Sequence, residues 1–200
     1  VEFVSYTLKG VVVVKTDLTT GIVRVLKPDG STAGTGFVVT QDGLVATCAH
    51  VVAAAGAGLG DQVTLVFHVT REERQARVEA DWWRDPSAED VAVLRLEGTL
   101  PEGVTSLWLG ASGGTSGHPF RTLGFPALCP EGGIWGDGHV VGEIKMGDVP
   151  VLQLSSSQIT PGFSGAPVLD TVTCRVVGMV TSIARPDAYG RFTETAFITP

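Results

Sequence analysis

The sequence predicts an all-β chain in two halves, each half closing as a barrel or a sandwich. Three observations predict it. Short apolar, β-branched runs recur along all 200 residues. Turn-forming residues separate them, with 26 Gly and 11 Pro in the chain. Helical periodicity is nearly absent.

The strand-like runs of the first half are 10–15, 21–26, 36–40, 43–47, 62–69, 74–81 and 90–96. Thr40-Gln41-Asp42-Gly43 reads as a hairpin turn, because an Asp-Gly pair tolerates positive φ. A single helical turn is expected over 49–55. The second half repeats the style with runs at 119–124, 139–144, 149–155, 166–169, 175–181 and 193–198. Between the halves, 98–117 is rich in Gly, Ser and Thr and reads as a linker. The division expected is 1–105 and 106–200, the two together forming one domain of function. There is no fixed-period repeat of twenty to fifty residues.

Composition narrows the function. Hydrophobic residues make up 44% and charged residues 18%, a globular balance. The net charge of −7 argues against nucleic acid, which needs a basic surface. Val11–Val14 is too short to span a bilayer and reads as a core strand. The opening VEFVSYTLKG has no basic start followed by a long apolar run, so it does not read as a signal peptide. Starting without Met and stopping at Pro200, the sequence reads as a domain cut from a longer protein. Cys48, Cys129 and Cys174 are odd in number and widely spaced, which suits free thiols in a reducing, cytoplasmic setting, with a Cys129–Cys174 bridge left open.

Three segments carry chemistry. In Gly162-Phe163-Ser164-Gly165-Ala166-Pro167, glycines flank a serine. A serine hydroxyl is a weak nucleophile until a base takes its proton, and the tetrahedral intermediate needs donors aimed at its new oxyanion. Sharp backbone turning at the glycines would let the N–H groups of Gly162 and Ser164 serve as those donors. The plain alternative is a Gly-rich turn. In Leu44-Val45-Ala46-Thr47-Cys48-Ala49-His50, an imidazole follows a strand end, where a general base could meet a serine from elsewhere in the chain. The alternative is a core histidine bonded to a carbonyl. Asp90 directly precedes an apolar strand, where its carboxylate could orient His50; Asp81, Asp85 and Glu89 compete for the role, and Asp90 should be the most buried. The order is His, Asp, Ser.

Other features read as structural. His118 and His139 lack a second ligand at metal-binding spacing, so no metal and no cofactor is expected. Cys48 reads as a packed small side chain. One of Trp82 and Trp83 should face outward from a strand.

The segments Gly34 to His50, Asp90 to Leu94 and Thr160 to Val168 together resemble the trypsin superfamily of serine proteases, in its compact bacterial, HtrA-like branch. Gly117 to Pro126 resembles the strand that opens that family's second barrel. The resemblance implies two six-stranded antiparallel β-barrels with the active site between them. It implies peptide-bond hydrolysis by His50, Asp90 and Ser164 through an acyl-enzyme, acting on protein or peptide substrates, with regulatory domains fused or associated. It also implies a substrate pocket with Gln158 at its base and Thr181, Ser182 and Ile183 as its wall; a neutral Gln158 does not support a preference for Arg or Lys. The sequence departs from the animal enzymes at Phe163, where they carry an Asp that pairs with a new N-terminus, so no such ion pair can lock the oxyanion loop. Val51 stands where the secreted enzymes have a disulfide cysteine, and Ala166 where they have a second glycine. The rival to an active enzyme is a catalytically silent domain of the same fold that binds peptides or partners.

Overall fold

The structure, a computed structural model, describes residues 16–200 and the backbone of two short N-terminal strands, β1 (Ser5–Leu8) and β2 (Val11–Val14). These two pair with each other as a separate antiparallel ribbon. Whether the Val11–Val14 side chains join a core lies outside the described residues.

The first barrel comprises β3 (Ile22–Leu26), β4 (Thr32–Val38), β5 (Leu44–Thr47), β6 (Gln62–Phe67), β7 (Glu73–Val78) and β8 (Ala92–Leu96). It closes in the order β3-β4-β5-β8-β7-β6. The second comprises β9 (Pro119–Gly124), β10 (Ile134–Met146), β11 (Val149–Ser155), β12 (Pro167–Asp170), β13 (Arg175–Ile183) and β14 (Thr195–Thr199), closing as β9-β10-β11-β14-β13-β12. The fold class is therefore two closed six-stranded antiparallel barrels. Both barrels use one connectivity, although the sequence carries no periodic repeat. Closure leaves neither sheet an unpaired edge.

Where burial alternates, it follows the strand period: in β7, Ala76 and Val78 point inward while Arg77 points out. The connection 97–118 is not a free linker throughout, because Val104 and Leu107 bury themselves against the first core. The turn at Thr40–Gly43 closes as expected, with Gly43 N–H donating to the Thr40 carbonyl at 3.2 Å.

Strand ends shift by one to three residues in several places, and three differences from the sequence reading have a clear physical reason. β4 begins at Thr32, four residues early, because Thr32 to Thr35 are small or polar and give no apolar signal. β10 runs thirteen residues, beyond the expected 139–144 at both ends and through Gly136 and Gly138; a Cβ at Gly138 would lie 2.0 Å from the Ser155 carbonyl oxygen, so close backbone approach calls for glycine within the strand. Trp82 sits in a 3-10 turn, Ala80–Trp82, and is exposed, while Trp83 packs against the first core.

Candidate functional site

β5 ends at Thr47, Cys48 caps the chain into α1 (Ala49–Ala54), and His50 sits in the first turn of that helix. Asp90 lies two residues before β8 in a left-handed conformation, φ +56°. Both oxygens of its carboxylate reach His50: Oδ1 accepts the His50 backbone N–H at 2.9 Å, and Oδ2 lies 2.5 Å from His50 Nδ1. This grip places the ring proton on Nδ1 and leaves Nε2 as the acceptor nitrogen. Asp90 is 8% exposed, while the competing Asp81, Asp85 and Glu89 are all exposed.

Ser164 lies in the second of two successive tight turns that share Phe163. Phe163 N–H donates to the Thr160 carbonyl at 3.1 Å, with Pro161 second and Gly162 third at φ +103°. Ala166 N–H then donates to the Phe163 carbonyl at 2.8 Å, with Ser164 second and Gly165 third at φ +83°. A third residue at positive φ, after a second that is not, marks a type II turn, and glycine fills that place without strain. Among the described residues, the N–H groups of Gly162 and Ser164 have no hydrogen-bond partner. They are thus available to a ligand.

Several residues outside the three candidates hold this loop. Phe163 is fully buried in the second core, its ring seated where a Cβ on Gly124 would lie 2.6 Å away. Apolar burial, worth about 1.5–3 kcal/mol for such a side chain, anchors the loop where an ion pair had been missed. Phe125 N–H donates to the Gly162 carbonyl at 3.1 Å. From the first barrel, Thr35 donates twice: its N–H to the Ser164 carbonyl at 2.9 Å and its Oγ1 to the Gly162 carbonyl at 3.0 Å. Gly34 separates the two halves of the site, since a Cβ there would lie 2.6 Å from Val51 Cγ2 and 3.0 Å from the Ser164 oxygen. On the Asp90 side, Thr199 Oγ1 donates to the Glu89 carbonyl at 2.7 Å.

The structure thus brings His50 and Asp90 into contact and places Ser164 across Gly34 from the helix that carries His50. A hydrogen bond between His50 and the Ser164 hydroxyl, which the sequence reading expected, is not formed among the described residues. Catalytic hydrogen bonds are often long without substrate and tighten when it binds.

A pocket of 260 Å³ opens on Ser164, lined also by Thr160, Pro161, Val180, Ser182 and Ile183. A second, of 480 Å³, runs past Asp90, Met146, Val149, Thr181 and Ser182. Ser182 lines both, so the groove beside Ser164 and the one beside Asp90 adjoin at that residue. Gln158 lies outside both linings: its Oε1 accepts the Asp137 N–H at 2.8 Å, and the residue is exposed.

Cys48, His50 and Asp90 offer ligand atoms within 4.8 Å of one another, a set of the kind zinc takes. Cys48 does not suit it. The thiol is fully buried, donates to the Val180 carbonyl at 3.3 Å, and is pushed up in pKa by burial and by the Asp90 charge, away from the thiolate a metal needs. Elsewhere, His118 Nδ1 pairs with Asp170 Oδ2 at 3.0 Å, and His139 is exposed. All three cysteines are free, so Cys129 and Cys174 are not bridged.

The architecture and the loops at this groove define a protein of the double-barrel serine peptidase class. A family model described as "Trypsin-like peptidase domain" matches residues 34–179, and the chain belongs to that family. A "Probable periplasmic serine endoprotease DegP-like" of Chlamydia trachomatis is 30% identical over 155 residues, 75% of this chain and 28% of that protein. The chain therefore spans little more than a quarter of that curated relative. The crystal structure of the Rv3671c protease of M. tuberculosis in an inactive form superposes with a TM-score of 0.68 at 26% identity, covering 91% of this chain and 84% of that one. The HtrA-type protease AlgW with a bound tripeptide shares the fold, with a TM-score of 0.70 at 21% identity over 93% of this chain and 57% of that one.

Proposed function

We propose that the chain is the catalytic domain of a serine endopeptidase. The observation that carries this reading is the two-oxygen hold of Asp90 on His50, which leaves Nε2 as a base, combined with a serine flanked by two unpaired backbone N–H groups. Ser164 Oγ attacks the scissile carbonyl and its proton passes to His50 Nε2. Asp90 steadies the resulting imidazolium. The N–H groups of Gly162 and Ser164 stabilise the oxyanion, each donor of this kind being worth about 3 kcal/mol of barrier. The C–N bond then breaks as His50 returns the proton to the leaving amine, and water releases the acyl group by the reverse proton path. With the lobes divided at 105/106, base and orienting acid belong to the first and nucleophile to the second.

The pocket on Ser164 carries no charged side chain, so the residue before the cut is neutral, and Ser182 and Ile183 offer backbone for pairing with an extended substrate. The three free thiols favour a reducing, cytoplasmic compartment, although the Chlamydia relative is named periplasmic. No helix among the described residues is long and apolar enough to cross a membrane. The short span relative to that protein leaves room for regulatory domains in a longer chain.

A fluorophosphonate probe tests the proposal. Labelling of the wild type and none of Ser164→Ala is the expected result. A second reading, a silent peptide-binding domain, draws on the unformed His50–Ser164 hydrogen bond. A wild type that stays unlabelled while binding peptides would establish it.

A further inference from the structure

We infer that Thr35 is a positioning residue for catalysis, its hydroxyl holding the oxyanion turn in its competent form from the opposite barrel. The inference rests on the reading of Gly162 and Ser164 as oxyanion donors.

Thr35 is 0% exposed, inside β4, and contributes its three polar groups to one chain of bonds. Its N–H holds the Ser164 carbonyl and its Oγ1 holds the Gly162 carbonyl. Its own carbonyl accepts Thr47 Oγ1 at 2.7 Å. Thr47 ends the strand that leads into His50, so the chain of bonds joins the base-bearing element to the oxyanion turn. The backbone bond from Thr35 N–H sets where Ser164 lies, and any residue could supply it. The hydroxyl bond is different, because it depends on the side chain and acts on the turn itself.

The physics concerns a peptide flip. Glycine at the third position lets the Pro161–Gly162 peptide rotate at low cost, exchanging a type II turn for type I and turning the Gly162 N–H away from the reacting oxygen. The rotation has to be absorbed at Gly162. Two donors, Phe125 N–H and Thr35 Oγ1, pin the carbonyl on the far side of that glycine. With both in place the glycine cannot swing as a unit, and its N–H stays aimed into the groove. Removing the hydroxyl leaves the carbonyl on one donor and shifts the population toward the flipped turn. Because the donor matters most when negative charge develops on the substrate oxygen, the loss appears in the chemical step and not in binding.

Thr35→Val tests this, since valine keeps the shape and every backbone bond. The readout is the rate of fluorophosphonate labelling at Ser164, measured against probe concentration and against pH. The expected result is a limiting rate about tenfold lower, the size of one neutral hydrogen bond. Half-saturating probe concentration and the pH midpoint of labelling should stay at the wild-type values, because the His50–Asp90 pair is untouched. Thr35→Ser should restore the rate to within about twofold of wild type. If Thr35→Val does not fold by its thermal melt, Thr35→Cys, a weak donor of similar size, takes its place. A limiting rate unchanged in Thr35→Val overturns the inference and leaves the enzyme reading intact. So does a fall that comes with a moved pH midpoint, or one that serine does not rescue. A wild type that never labels at Ser164 fails the enzyme reading, and this inference with it.

Discussion

Asp90 shows how much a single residue can fix. Both oxygens of its carboxylate reach His50, one at the backbone and one at the ring. The left-handed φ of +56° at Asp90 costs about 1 kcal/mol in a residue type that tolerates it fairly well. The local fold sustains it through Asp90 N–H on the Asp85 carbonyl and Thr199 on the Glu89 carbonyl. Asp90→Asn keeps the shape but offers an amide to Nδ1, which favours the opposite tautomer. The expected outcome is a fall in kcat of about four orders of magnitude with the fold retained, read by steady-state hydrolysis of a peptide substrate alongside circular dichroism.

At the scale of an element, the loop 160–166 is shaped by two turns and one apolar anchor. Its tightest point is Gly165. A Cβ there would lie 1.9 Å from the Thr35 carbonyl oxygen and 2.7 Å from Thr47 Oγ1. Backbone cannot yield as a flexible side chain does, so Gly165→Ala must part the loop from β4. The consequence is loss of labelling together with destabilisation of about 2–3 kcal/mol, measured by urea unfolding. A variant that folds and labels normally would mean that β4 and the loop are not packed as described. At the position where the animal enzymes carry a charge, Phe163 puts a buried ring into the second core and ties the loop to it by apolar packing.

The whole molecule is two barrels joined by an apolar cluster, in which Leu123, Leu169, Val176 and Met179 of the second pack with the core of the first, and by hydrogen bonds across the interface. Thr35 reaches the Ser164 loop, Cys48 reaches Val180, Thr199 reaches Glu89, and Arg24 and Thr32 share the Pro130 carbonyl. Within the second barrel, Asp170 is fully buried and accepts from His118, the Val172 N–H and Thr173 Oγ1. Burial alone would raise its pKa, but these donors outweigh it and hold the carboxyl below the ordinary value of 3.8. A depressed carboxylate stabilises the fold above its unfolded pKa, and that contribution disappears as pH falls through the folded value. Asp170→Asn should therefore cost about 2 kcal/mol near neutral pH and progressively less below about pH 4, where the wild type also loses its charge. Chemical denaturation at the two pH values checks it; an equal penalty at both would show that the charge is irrelevant.

What the sequence determined by itself was local. Pro119–Gly124 and Val149–Ser155 were legible to the residue, because a β-branched run bounded by turn residues fixes its own backbone. The Ser164 loop was legible because glycines at fixed offsets dictate its turns. Family resemblance supplied the six strands per barrel. Tertiary structure decided the rest: the early start of β4, the continuity of β10 through its glycines, the seat of Phe163, the diversion of Gln158 to Asp137, and Thr35. These depend on what lies opposite after closure. The Thr35–Gly162 bond spans 127 residues of chain and the Thr199–Glu89 bond 110. A buried threonine in a strand looks the same in sequence whether or not a carbonyl waits across the interface, since register and barrel closure, not local preference, set which groups meet.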